Sequence, residues 1–397
     1  MLNEKMYELG SKSSVIRELF AYGLERKKVV GADKVYDFSL GNPSIPAPEA
    51  VKEALLELLE EPAEILHGYS PASGDPEVRK VLAESVNRRF GTHFTGNNFY
   101  MTVGAAASLN ISISAVTNEG DEFITFAPFF PEYRVWVEQA GASLLVSPPD
   151  PESFQIDFEA FEGLIGPKTK GIIMNSPNNP SGVVYSEESI QKLAALLEQK
   201  QKEYGTTIYL ISDEPYREIV YDGLTVPYVP KYYKNTIVCY SYSKSLSLPG
   251  ERIGYIIVPD EMEDFHRVMA AVGGAGRALG YVCAPVLFQK AVARCVDLTG
   301  DISAYERNRD LLYNGLTKLG YECVCPQGAF YLFVKALEPD ANAFSERAKA
   351  HDVLVVPSDS FGCPGYVRIS YCVAEKTIVN ALPVFEKIME EYRSEHI

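Results

Sequence analysis

The sequence predicts an α/β protein with a mostly parallel sheet sandwiched by helices, accompanied by a smaller α+β unit. Three observations carry this expectation. Short apolar runs alternate with amphipathic segments through the middle of the chain, as strands buried on both faces do when helices cover them. After about Arg294 the rhythm changes to a long polar helix, a strand pair and a terminal helix. With 397 residues and 46% hydrophobic content the chain can fill two cores, at roughly 100–200 residues per domain.

The elements follow in order. Residues 13–27 read as a helix and 35–40 as a short strand ending in the turn Gly41-Asn42-Pro43. Helical patterns over 48–60 and 75–90 precede a strand at 99–103, and a helix of small residues starts at Ala105. Apolar strands are expected at 122–126, 143–146, 171–174, 207–211, 236–241 and 254–258. The last part reads as a helix over 302–319, strands near 329–334 and 367–371, and a closing helix. No repeat or low-complexity linker interrupts the chain, so the expected division is a large unit, 46–289, and a small one made of 1–45 with 290–397.

Charge narrows the partners. The 37 basic and 53 acidic residues leave a net charge of -16, which repels nucleic acid and anionic membrane surfaces and favours small molecules. Seven scattered cysteines (Cys239, Cys283, Cys295, Cys323, Cys325, Cys363 and Cys372) contain no C-x-x-C pair, as expected of a reduced, cytoplasmic protein. The amino terminus is acidic where a signal peptide is basic, and no apolar window approaches the ~20 residues of a membrane span. His67, His93, His266, His351 and His396 lack ligand spacing and Cys323 with Cys325 is too small a cluster, so no metal is expected.

Four segments carry chemistry. In SYSKSLSLPGERIGY, Lys244 stands among Ser241, Ser243 and Ser245 just after an apolar strand, with Arg252 downstream. A lysine amine makes a Schiff base with an aldehyde, and hydroxyls plus a guanidinium can hold a phosphate carried by that aldehyde. The plainer alternative is a surface lysine in a serine-rich turn. In SDEPYRE, Asp213 is expected at the carboxyl end of a strand, where α/β ligand sites lie. There it can keep a pyridine nitrogen protonated while Tyr216 donates to the ring's 3-oxygen; otherwise Asp213 caps a turn before Pro215. NSPNNPSG is a rigid turn in which Asn179 can reach a ring oxygen. MTVGAAASLN passes from a strand through Gly104 into a helix beginning at Ala105 and Ala106, whose free N–H groups suit an anion or simply reflect ordinary packing.

With these segments in this order the chain resembles, nearly end to end, the class I/II aminotransferases of the aspartate aminotransferase superfamily, fold type I enzymes that use pyridoxal 5'-phosphate. The resemblance implies that Lys244 is the Schiff-base lysine and proton carrier, Asp213 the partner of the pyridinium nitrogen, and Asn179 with Tyr216 the partners of the 3-oxygen. It implies that Gly104, Ala105, Ala106, Ser241 and Arg252 hold the phosphate and that Phe130 stacks on the ring. Tyr69 would reach the phosphate of a neighbouring subunit in a homodimer with shared sites. Arg368, in YVRISYC, would clamp the substrate α-carboxylate with backbone contact from Gly41, as a bidentate guanidinium can. The implied reaction passes an amino group from an L-amino acid, aspartate first, to a 2-oxo acid.

Some dicarboxylate-specific members carry a lysine in the phosphate loop where this chain has Ala106. Arg277 across the dimer interface, or Arg17, is then the candidate reader of a side-chain acid. Three rivals stand beside this reading. GAGRALG, with Asp297 downstream, spaces glycines as a dinucleotide site does and points to an NAD-dependent dehydrogenase. Carbon-sulfur lyases share the same lysine, aspartate and arginine. A non-catalytic ligand-binding regulator is disfavoured by the presence of all the catalytic groups.

Overall fold

The computed structural model of the chain describes residues 2–11 and 14–395. Among them the strands are β1 (Tyr36–Asp37), β2 (Phe99–Thr102), β3 (Glu122–Phe126), β4 (Ser143–Ser147), β5 (Thr169–Asn175), β6 (Tyr209–Asp213), β7 (Thr236–Ser241), β8 (Gly254–Ile257), β9 (Tyr331–Lys335), β10 (Val353–Leu354), β11 (Val356–Pro357) and β12 (Tyr366–Ser370). Seven of them form the main sheet in the order β2-β8-β7-β6-β5-β3-β4. Strands β3 to β7 pair in parallel, and β8 runs antiparallel to both β2 and β7. Every residue of β2, β7 and β8 is buried, which is why these segments read as unbroken apolar runs.

Register places the chemistry. Asn175 lies opposite Asp213, and Asp213 opposite Cys239, so the carboxyl ends of β5, β6 and β7 finish in one row. Ligand sites of open α/β sheets lie beyond this edge. The helix Ala105–Val116, most of which is buried, starts at the same edge.

Strands β11, β12 and β9 form an antiparallel sheet, and β1 pairs in parallel with β10. Phe38 packs into one core with Leu312 and Leu316 of the helix Ile302–Leu319 and with Phe385 and Ile388 of the helix Glu375–Glu395. Its carbonyl also accepts from Ser370 N at 3.0 Å. The segment leading to Gly41 is thereby fixed beside Arg368.

Several expectations shift. The helix expected over 13–27 is Val15–Val30, and a further helix, Glu4–Ser11, precedes it; Ser13, read as a helix start, lies outside the described residues, as does His396. No residue of Glu4–Ser11 is buried. Strand β1 is shorter than 35–40 because Asp37 Oδ1 accepts from the Ser39 backbone and hydroxyl and turns the chain. Strand β6 ends two residues beyond its expected limit, making Asp213 its last residue. The GAGRAL run lies inside the helix Phe265–Leu279, and Pro285 caps the next helix. That segment therefore has no strand-to-helix turn to cradle a dinucleotide pyrophosphate, which removes the dehydrogenase argument. Among the described residues no helix is long and apolar enough to cross a membrane.

Candidate active site

A cavity of about 290 Å³ opens at the carboxyl edge of the main sheet. Lys244 reaches it from the short helix Tyr242–Ser245 that follows β7, and its Nζ donates to the Gly41 carbonyl at 2.6 Å. Burial pushes the amine down to about 8, against a pull upward from Cys372, with Arg368 and Arg252 adding to the depression. An amine tuned so low is a competent nucleophile and proton carrier near neutral pH.

Asp213 faces Lys244's cavity from β6. Its Oδ2 accepts from the Tyr133 hydroxyl at 2.5 Å, while its buried Oδ1 has no partner among the described residues. Burial pushes this carboxyl up to about 7, the Tyr133 bond opposing and Glu214 adding. A buried carboxylate oxygen left unpaired is costly unless a ligand completes it. Asn175 ties the neighbouring loop to this strand end: its Nδ2 donates to the Asp213 carbonyl at 2.9 Å and its Oδ1 accepts from Asn179 N at 2.7 Å. Tyr216, one turn beyond Asp213, shares a 2.9 Å hydroxyl contact with Tyr331.

The opposite end suits an anion. Gly104 (φ 93°) precedes the helix with no side-chain cap, leaving the N–H groups of Ala105 and Ala106 at the cavity. A Cβ on Gly104 would lie 2.5 Å from Arg252 Nη2, so only glycine lets the guanidinium lie against this loop. Arg252 itself adopts a left-handed backbone, φ 52°, a conformation uncommon without glycine. Ser241 and Ser243 line the cavity. Ser245, expected with them, does not: the short helix turns its hydroxyl to within 2.8 Å of Tyr240, in the core.

Arg368 is buried, with 2% exposure. Its Nη2 donates to the Ser39 carbonyl at 2.5 Å and its Nη1 to Asn179 Oδ1 at 3.3 Å, while Nε has no partner among the described residues. The guanidinium lies 4.7 Å from the Tyr331 ring centre and 5.4 Å from that of Phe361. Tyr331 Oη would be 2.0 Å from a Cβ on Gly41, which accounts for glycine there. Phe130 lines the wall, edge-on to Tyr133 at 5.8 Å.

The fold thus gathers Gly41, Gly104 to Ala106, Phe130, Asn179, Asp213, Tyr216, Ser241, Lys244, Arg252 and Arg368. It does not bring Tyr69, Arg277 or Arg17 to this chain's cavity: all three are exposed, Tyr69 at 98%. Sequence reading missed Ile16, Trp136 and Tyr331, which also line the cavity, and Asn175 and Tyr133, which hold the strand end. Only Asn175, inside the motif already singled out, carried a usable signal.

The donor set fits pyridoxal phosphate. An unpaired carboxylate oxygen suits a protonated ring nitrogen, uncapped N–H groups beside Arg252 suit a phosphate, and a depressed amine lies between them.

Comparison with known proteins agrees. The sequence profile of the family "Aminotransferase class I and II" matches residues 33–385. The aspartate/prephenate aminotransferase of Thermus thermophilus is 33% identical over 88% of this chain and 89% of that protein. An amino transferase from Eubacterium rectale of known crystal structure is 61% identical with a TM-score of 0.97, covering 99% of each chain. The Thermus thermophilus aspartate aminotransferase structure with maleate is 31% identical with a TM-score of 0.83, covering 95% of this chain and 97% of that one. The carbon-sulfur lyase alternative is not favoured by this company. The chain belongs to the class I and II aminotransferases, enzymes that use pyridoxal 5'-phosphate to exchange amino groups between amino acids and 2-oxo acids.

Proposed function

We propose that this aminotransferase takes L-aspartate as its first amino donor and a 2-oxo acid as acceptor, using Lys244, Asp213 and Arg368 as its working groups. The observation that carries this reading is the convergence of a depressed lysine amine, a half-partnered buried aspartate and a half-partnered buried arginine in one cavity. When bound, the cofactor supplies an electron sink that makes the substrate's α-proton removable. Lys244 Nζ would hold the cofactor aldehyde between turnovers and move the proton at the substrate α-carbon. Asp213 Oδ1 would hold the ring-nitrogen proton, and Tyr216 with Asn179 would meet the 3-oxygen. Gly104, Ala105, Ala106, Ser241 and Arg252 would bind the phosphate, and Phe130 would support the ring. Arg368 orients the substrate α-carboxylate, with Gly41 alongside, so that one clamp serves donor and acceptor in turn.

Aspartate is chosen because relatives covering most of the chain are named aspartate or aspartate/prephenate aminotransferases. With Ala106 in the phosphate loop, a side-chain carboxylate is assigned to Arg277 of a second copy. The same assembly has Tyr69 reaching a neighbour's phosphate, and the exposure of both residues supports a homodimer. The division into 46–289 and 1–45 with 290–397 belongs to this proposal, supported by the core that Phe38 shares with residues 305–392. So does a cytoplasmic location, which the seven free cysteines support.

The test is the visible spectrum of purified protein before and after single amino acids, with Lys244→Ala alongside. A band that bleaches with aspartate and returns with a 2-oxo acid is the expected result, and the amino acid that bleaches it at lowest concentration names the donor. Absence of any band after added pyridoxal phosphate would sink the reading of Lys244. Equal loss of aspartate and alanine turnover in Arg277→Ala would remove the side-chain assignment.

A further inference from the structure

We infer that Tyr133 is a positioning residue for the cofactor ring: its hydroxyl fixes which oxygen of Asp213 faces the cavity. The inference rests on the reading of Asp213 as partner of the ring nitrogen and extends it to a residue that does not line the cavity. Tyr133 is 1% exposed, in the helix Glu132–Gln139. Its ring is wedged by Phe129 (centroids 6.4 Å), Phe130 (5.8 Å) and Trp136 (6.3 Å), so the phenol has little freedom to leave Asp213.

The contact is 2.5 Å from Tyr133 Oη to Asp213 Oδ2, the length of a charge-assisted O–H···O bond. A phenol proton spent on Oδ2 leaves Oδ1 as the oxygen free for a cavity ligand, and Oδ1 is the buried oxygen without a partner. The other titratable groups about Asp213 are Glu214 and Tyr216 in the turn after β6 and Cys239 on β7. None of these three, nor Tyr133, carries a positive charge, so the phenol bond opposes what burial and Glu214 do to the carboxyl. Without it, Asp213 takes up a proton at higher pH and loses its hold on a protonated pyridine. Phe130 and Tyr133 are three residues apart on one segment, so the ring wall and the ring-nitrogen contact are set together.

The test uses cofactor-free protein titrated with pyridoxal phosphate by absorbance across pH, a readout that does not need turnover. Tyr133→Phe is expected to weaken cofactor affinity roughly 10- to 100-fold at pH 7. It should also move the acid-side fall of affinity to higher pH. Site-specific 3-fluorotyrosine at 133, a better donor of unchanged shape, should move that fall to lower pH, and it keeps the inference testable if the phenylalanine variant folds poorly. Phe129→Leu, which loosens the same packing without touching the bond, should leave the pH of the fall in place. In an Asp213→Asn background, Tyr133→Phe should add nothing. An unmoved acid limb, a matching shift in Phe129→Leu, or additivity with Asp213→Asn would each overturn the inference. If Asp213→Asn alone leaves cofactor affinity intact, the underlying reading of Asp213 has failed instead.

Discussion

Asp213 and Glu214 are adjacent buried carboxylates at the end of one strand, yet only one of them is finished by the protein. Glu214 has both oxygens engaged, accepting from Ser212 Oγ at 2.7 Å and from Arg217 Nη1 at 2.9 Å. Arg217 in turn donates to Tyr255 Oη at 2.9 Å and to Glu218 Oε1 at 3.3 Å, with the Tyr240 ring 4.4 Å away. Glu218, which burial alone would raise, is held below the usual carboxylate range by Arg217 and Arg89. Asp213 has a single side-chain partner and one oxygen left open. Closed networks of buried charge are architecture, whereas an open one marks where a ligand is to complete the valences.

That contrast can be broken or sharpened in four ways. The largest effect belongs to the open side: Lys244→Ala should lower the transamination rate by about 10⁴-fold or more, measured with saturating aspartate. The secondary structure by circular dichroism should be unchanged. On the closed side, Arg217→Met strands Glu214 and Glu218 and should cost about 3–5 kcal/mol in chemical denaturation. The fraction that folds should keep its KM, since Arg217 does not line the cavity.

Returning to the open side, Arg368→Lys keeps the charge but loses the fork. KM for amino acids should rise roughly 10- to 100-fold, about 1.4–2.7 kcal/mol. An unchanged KM would take Arg368 out of the carboxylate clamp. The smallest effect is a pH signature in the cofactor-free protein. Burial pushes the Asp213 carboxyl from its ordinary value of 3.8 up to about 7, so the folded state binds the extra proton in that interval. Its contribution to stability therefore falls as pH rises from about 4 to about 7 and stays low above. Asp213→Asn should accordingly be more stable than the parent at pH 8, on the order of 1 kcal/mol after the altered Tyr133 bond, with the difference fading toward pH 4.

Legibility followed the same division. Lys244, Asp213 and Asn179 could be read because polar groups stand just after apolar strands, where burial makes no sense of them unless a ligand does, and Arg252 because it follows Lys244 within the same segment. Glycines at 41 and 104 could be noticed, but their reasons, Tyr331 and Arg252, come from distant segments. Tyr133, Trp136 and Ile16 were invisible because an aromatic or aliphatic residue at helical spacing is ordinary core in any sequence. The alternating pattern located most strands of the main sheet within a few residues, since burial on both faces is written directly in composition. Pairing is not: that β8 runs against its neighbours depends on contacts that no local run of residues records. The glycines of the GAGRAL run misled for the opposite reason, because spacing alone cannot distinguish a phosphate turn from one face of a helix.

The meeting of Gly41 and Tyr331 has a bearing on redesign. The tyrosine hydroxyl occupies the volume a methyl group at 41 would need, and it also touches Tyr216 and flanks Arg368. Residues 41 and 331 therefore share one allotment of space, and a bulkier residue at the first is tolerated only when the second shrinks. Libraries that vary these positions singly will find dead ends, while paired changes such as Gly41→Ala with Tyr331→Leu, which removes the ring carbons as well as the hydroxyl, open a path to reshaping the carboxylate end of the cavity.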